Sequence, residues 1–225
     1  MHIRKFTDRA EAGQALAHIL NFYTNKRDAV VLALPRGGVP VGYEIARQLN
    51  LPLDVWLVRK LGVPGHEEVA MGAIGYGGVR YLNSDLISKL GITSEQIEEV
   101  TKKEDIELKR RSRLYRGDRP LPELKGKTVI LVDDGLATGA TMLAAIKSLS
   151  QAETAHVVIA IPVGAKSTCL ELEQLVDDFA CIMTPDPFYG VGRWYVNFEP
   201  TSDEDVQALL KSASQPAVQE RKTAL

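Results

Sequence analysis

Apolar residues recur along this chain with two periods, and the switching between them sets out the expected elements. From Asp8 to Tyr23, Leu16, Ile19, Leu20 and Tyr23 share one face at helical spacing. Ala29-Val-Val-Leu-Ala-Leu34 is a continuous run, suited to a strand covered on both faces. Val41, Ile45 and Leu49 return to the helical period, and 53–58 reads as a second strand. The stretch 59–78 is glycine-rich with no helical period, and 79–82 closes it as a short strand. Thr93-Ser-Glu-Gln96 is a capping box opening a charged helix to about Tyr115. Strands are expected at 128–132, 155–161 and 179–183, and helices at 139–150, 167–176 and 202–212. The segment 185–200 is irregular and aromatic.

Strands alternating with helices predict an α/β fold, a mainly parallel twisted sheet flanked by helices. Ligands of such sheets bind at the carboxyl ends of the strands. The segments 35–38, 59–78 and 133–141 all start where a predicted strand ends, so they should converge on one edge.

Composition narrows this little. The chain has 225 residues, enough for one α/β domain, and a formal net charge of −2. Mixed charges at near neutrality argue against a general nucleic-acid or membrane-surface partner. No apolar run approaches the roughly 20 residues of a membrane span. The start, Met1-His-Ile-Arg-Lys-Phe, lacks the apolar core of a signal peptide, so a cytoplasmic protein is expected. Cys169 and Cys181 lie in no motif and read as small buried residues in a reducing compartment. One domain is expected over 1–213, with 214–225 a flexible tail.

The chemistry concentrates in Val129-Ile-Leu-Val-Asp-Asp-Gly-Leu-Ala-Thr-Gly-Ala-Thr141. A buried-type strand ends in two carboxylates, Asp133 and Asp134. A turn of small residues and hydroxyls follows, and then a helix. Gly135, Gly139 and Ala140 allow close backbone approach, and Thr138 and Thr141 offer hydroxyls. Free amides and the positive end of the helix dipole suit a phosphate. The lysine of a nucleotide P-loop is missing, so a monophosphate fits better than a triphosphate. Paired carboxylates accept hydrogen bonds from vicinal hydroxyls, at about 1.5–3 kcal/mol for each charged bond. Together these features suggest a sugar phosphate.

This segment resembles the phosphoribosyl-pyrophosphate (PRPP) signature of type I phosphoribosyltransferases. The resemblance implies that Asp133 and Asp134 hold the ribose hydroxyls. It assigns the 5′-phosphate to Ala137, Thr138, Gly139, Ala140 and Thr141. Leu34-Pro-Arg-Gly-Gly38 resembles the family's pyrophosphate loop, giving Arg36, Gly37 and Gly38 that role. Arg59-Lys60 is similar to the pair before the mobile catalytic loop of adenine and orotate members. By that likeness the two bases act on the pyrophosphate, and Leu61 to Gly72 forms a lid. His66, Glu67 and Glu68 are there to act on a proton or bind metal, or are solvated charges of a surface hairpin.

Phe188, Tyr189 and Trp194 are candidates for a small hood over the acceptor, built from about 181–213 with help from N-terminal residues; packing roles are equally open to them. Members that use 6-oxopurines usually carry an aspartate at position 137. With Ala137 the wording is closer to the adenine enzymes. The family implies Mg²⁺ carried by PRPP, with Asp133 and Asp134 the nearest carboxylates, and a homodimer. The resulting expectation is transfer of ribose 5-phosphate from PRPP to a nitrogenous, purine-like acceptor. The alternatives are a PRPP- or nucleotide-binding regulator without turnover, and a hydrolase. The basic stretch Lys102–Arg119 reads as a solvated face or a subunit contact.

Overall fold

The computed structural model describes residues 5–214 except 76, 121 and 151; most of the expected tail, from 215 on, lies outside the described residues. The chain runs α1 (Arg9–Ile19), β1 (Ala29–Ala33), α2 (Gly38–Leu49), β2 (Leu53–Val55), β3 (Val58–Val63), β4 (His66–Gly75) and β5 (Arg80–Leu82). It continues through α3 (Ser84–Leu90), α4 (Ser94–Arg116), β6 (Thr128–Val132), α5 (Ala140–Leu149), β7 (His156–Val163), α6 (Lys166–Glu173), β8 (Asp178–Met183) and α7 (Asp203–Ala213).

Five strands form a parallel sheet in the order β2-β1-β6-β7-β8. Every residue of β1 and β6 is buried because both faces are covered. Val31, Ala33, Ile130 and Val132 pack with Leu16, Val41 and Ile45. Val30, Leu32, Val129 and Leu131 face Met142, Leu149 and Leu172. Successive side chains point to opposite faces, so two covered faces require an unbroken apolar run. The order reverses between β1 and β6, and register pairs Ala33 with both Val55 and Val132. The loops leaving these strands therefore meet at a topological switch point, where open α/β sheets place their ligands.

Four points differ from expectation. The strand expected at 53–58 ends at Val55: the Trp56 amide still donates to the Ala33 carbonyl, but its indole bonds Ser148 Oγ at 2.8 Å. From there the chain leaves the sheet. The stretch 59–78 is mostly strand, because β3 and β4 form an antiparallel hairpin closed at Pro64-Gly65, with β5 alongside. Gly62, Gly72 and Gly75 are strand glycines. A Cβ at Gly62 would lie 2.7 Å from the Glu67 carbonyl oxygen, and one at Gly72 would collide with that of Tyr81. Close backbone approach put glycine where a strand pattern needs side chains, and so hid the period. Helix α3 had no predicted counterpart; Asn83 caps it, accepting from the Leu86 amide, and Gly91 ends it. On α1, Ile19 is 54% exposed, so the buried face is Ala12, Leu16, Ala17 and Leu20.

A cap of the two chain ends lies beside β7 and β8. The Phe6 amide donates to the Trp194 carbonyl, and the amides of Val196 and Asn197 donate to Phe6 and Thr7. Phe6, Tyr195, Phe188, Trp194 and Phe198 pack there with Val163.

Candidate active site

At the switch point the chain turns after Val132 so that the Asp134 amide donates to Asp133 Oδ1 at 2.8 Å. The Leu34 amide donates to the Val132 carbonyl, laying the loop after β1 along the two acids. That loop carries a cis peptide between Pro35 and Arg36. A Cβ at Gly37 would collide with Asp134 Oδ2, and one at Gly38 would lie 2.6 Å from the Val132 carbonyl oxygen. No side chain fits at either position.

Arg9, from the start of α1, donates through Nε to Asp134 Oδ2 at 2.8 Å. The Tyr195 hydroxyl donates to the Asp134 carbonyl at 2.7 Å. Burial, and then the charge of Asp134, pushes the Asp133 carboxyl well above the usual carboxylate range. Burial raises Asp134 as well, opposed by Arg9. Burial and Asp134 raise the Tyr195 phenol, which stays a donor at neutral pH. Two crowded carboxyls of this kind favour a partner that brings hydroxyls or positive charge.

The following loop is tied to β7. The Leu136 amide donates to the Val163 carbonyl, and the Ala165 amide donates back to Leu136. Leu136 is buried, while Ala137, Thr138, Ala140 and Thr141 are exposed. Thr168 Oγ1 donates to the Ala137 carbonyl at 2.8 Å. Gly139 sits at the helix N-cap with φ of 72°. The first-turn amides of α5 have no intrahelical acceptor and lie at the positive end of its dipole, a ready anion site.

Arg59 and Lys60 lie on β3, in the wall of a cavity of about 500 Å³ that Pro35, Ala140 and Thr141 also line. Helix α4 adds Lys103 and Arg111. Arg59 Nε is held by Glu104 at 2.6 Å. Cations from the hairpin and the helix thus face the start of α5. Arg36 is exposed and is not part of this wall, and neither are Asp133 and Asp134. His66 and Glu67 are exposed at the hairpin turn; the side chain of Glu68 lies outside what is described.

Of the hood candidates, Phe188 and Trp194 pack against the aromatic cap, whereas Tyr189 is 74% exposed. The Trp194 indole N–H is buried without a partner among the described residues. A second cavity of about 500 Å³ opens at the carboxyl ends of β7 and β8, lined by Lys166, Asp186 and Phe188 among others. Among the described residues no three His, Cys, Asp or Glu side chains gather as a metal site. Asp133 and Asp134 are nonetheless adjacent oxygen donors. They fit Mg²⁺ of the kind held mostly by water and substrate phosphates.

Sequence reading missed Arg9, Tyr195, Glu104 and, in this position, Arg111. Each reaches the site from an element distant in sequence. Only Arg9 left a signal, as a cation at the positive end of a helix.

An open parallel sheet with its unusual loops gathered at the strand-order reversal is the mark of a ligand-binding α/β protein. The Phosphoribosyl transferase domain family matches residues 4–191, and the chain belongs to that family, with its type I fold. A relative from Mycobacterium tuberculosis, named provisionally as a phosphoribosyl transferase in two strains, is 43% identical over 211 residues. That alignment covers 94% of this chain and 47% of the relative, so the chain spans about half the length of the curated relatives it matches. The crystal structure of the protein TT1426 from Thermus thermophilus superposes with a TM-score of 0.85 at 38% identity, covering 95% of this chain and 100% of that one. No helix among the described residues is long and apolar enough to cross a membrane.

Proposed function

We propose that the chain transfers ribose 5-phosphate from PRPP to a nitrogenous acceptor and releases pyrophosphate. The observation that carries this reading is the contact between two loops: Gly37 lies so close to Asp134 that a single methyl would collide with its carboxylate. A glycine turn pressed against paired acids, beside an anion-binding helix start, suits a ligand with a phosphate, a vicinal diol and a second anionic group.

In this reading Asp133 and Asp134 accept the ribose hydroxyls, and the amides and hydroxyls of 137–141 hold the 5′-phosphate. The turn at Arg36, Gly37 and Gly38, pressed against the acids, takes the pyrophosphate. Arg59 and Lys60, joined by Arg111, neutralise the leaving group as the C1–O bond breaks. The acids lie near the positive charge that grows on the ribose ring, stabilising it electrostatically. Mg²⁺, when carried in by the substrate, supplies further neutralisation of the pyrophosphate oxygens. The cavity at Lys166, Asp186 and Phe188 is the acceptor side. It offers one cation, one carboxylate and an aromatic side chain to a planar base. Ala137 brings no titratable group to the reaction, so the proton lost by the acceptor leaves by another route.

The test has two arms. Pyrophosphate release is followed with PRPP, Mg²⁺ and each of a panel of nucleobases; base-dependent release supports transfer. Saturable PRPP binding with no release on any base would instead make the chain a binding protein, and release without a base would make it a hydrolase. In the second arm, the Asp133→Asn, Asp134→Asn double variant should keep its fold and lose PRPP protection against heating. Undiminished protection would sink the ribose assignment.

A further inference from the structure

Arginine is an unexpected residue at the first position of a helix. The N-terminal end of α1 carries the positive pole of the helix dipole, and a cation there is unfavourable. The rest of that turn follows the rule: Asp8 caps it, accepting from the Glu11 amide at 2.9 Å, and Glu11 is acidic. Arg9 breaks the rule, and its side chain is only 11% exposed. A local violation of this sort points to a role elsewhere.

The guanidinium makes three contacts with parts of the chain far away in sequence. Nε donates to Asp134 Oδ2 at 2.8 Å. Nη1 donates to the Glu199 carbonyl at 2.8 Å. Its Cζ lies over the Phe198 ring, 3.9 Å from the ring centre. The same carboxylate oxygen is the one pressed against Gly37. The Tyr195 hydroxyl holds the Asp134 main chain from the cap side, and Tyr195 packs on Phe198 at 5.0 Å between ring centres. Side chain and main chain of this acid are thus fixed by residues from both chain ends.

We infer that Arg9 is a positioning residue of the donor site: it clamps Asp134 through Oδ2 and ties it to the aromatic cap, so that the remaining carboxylate oxygen is aimed for the ribose hydroxyls. The inference rests on the donor-site reading above. It assigns Arg9 no contact with substrate. A planar fork is required, because two hydrogen bonds diverge from one group whose Cζ lies over a ring; a lysine ammonium keeps the charge but does not supply the fork. The 5′-phosphate loop lies beyond this clamp, so phosphate binding should be indifferent to it.

The experiment compares PRPP with inorganic phosphate, each titrated calorimetrically against the unaltered chain, Arg9→Met, Arg9→Lys and Phe198→Leu, with thermal midpoints recorded. Arg9→Met should weaken PRPP binding at least tenfold and leave phosphate binding within twofold. Arg9→Lys should recover only part of the PRPP affinity, and Phe198→Leu should lose a smaller part. Equal loss for PRPP and phosphate would mean a general structural role and would overturn the inference. So would unchanged PRPP affinity in Arg9→Met, or full recovery in Arg9→Lys. Should Arg9→Met not fold, the same ratio read on Arg9→Lys and Phe198→Leu decides: a selective PRPP loss supports the clamp, and no selective loss overturns it. If the unaltered chain binds no PRPP, the donor reading fails and the clamp falls with it; if it binds and the variants bind alike, the clamp alone fails.

Discussion

The two charged regions at the carboxyl edge of the sheet are built in opposite ways. Around Asp134 the partners come from the start of α1, the loop after β1 and the aromatic cap: Arg9, Gly37 and Tyr195, with the Arg9 and Asp134 side chains 11% and 15% exposed. Around Arg59 the groups belong to an antiparallel hairpin and a long polar helix, and Arg59 itself is the more open member of its pair with Glu104, at 34% against 14%. The difference lies in what each stands on. The acids, proposed to meet the ribose diol, follow a strand buried on both faces. The cations, proposed to meet the leaving group, stand on a hairpin joined to the sheet by the short bend at Trp56 and Leu57. Catalytic groups on such an appendage can move with each turnover, whereas buried groups cannot without disturbing the core.

The sharpest way to break this comparison is at Gly37. Gly37→Ala drives a methyl into Asp134 and should abolish detectable PRPP binding while destabilising the fold by about 1–3 kcal/mol, the usual cost of overpacking. Calorimetric titration with thermal melting checks both. Retained binding would mean the acid side is as pliable as the hairpin side.

Next in size is the pair Arg59→Ala and Lys60→Ala. Turnover, read as pyrophosphate release, should fall far more than ribose 5-phosphate binding. Equal losses would remove the assignment of these residues to pyrophosphate.

The pH dependence of stability sharpens the acid side. The Asp133 carboxyl is raised by burial and by Asp134. A raised carboxyl costs the fold nothing below its ordinary value of about 3.9, and the cost grows as pH rises through the folded value. Asp133→Asn should therefore raise the melting temperature at pH 7, and the gain should vanish as pH falls toward 4. A gain independent of pH, or none, would show that the acid pair is not under this strain.

The smallest effect is expected at Glu104. Glu104→Gln removes the charge opposite Arg59 across a pair partly open to solvent. Its cost to stability should stay within about 1 kcal/mol, measured by denaturant titration. A cost as large as that of Gly37→Ala would make the hairpin side as rigid as the acid side.

How far the site was legible varied with how local its logic is. The strand ending in Asp133-Asp134, the glycines at 37 and 38 and the helix start at Ala140 all announce themselves within a few residues, because strand burial, turn geometry and helix ends are local rules. Segment 59–78 misled because Gly62 and Gly72 serve contacts with strand backbone across the hairpin. Tyr189 and Trp194 looked equivalent as aromatic residues, yet one projects into solvent and the other packs under the cap.

By itself the sequence determined the parallel sheet, the edge where its loops gather, and the paired acids before a turn of small residues and hydroxyls. Each follows from periodicity and from residue types adjacent in the chain. Tertiary structure alone decided that Arg59 and Lys60 share a cavity with Thr141 and not with the acids. It alone brought Arg9 across the molecule to Asp134, at a sequence separation of 125. The physical reason is that a buried charge takes its partner from whichever element packs nearest, and the chain order of the partners does not say which element that is.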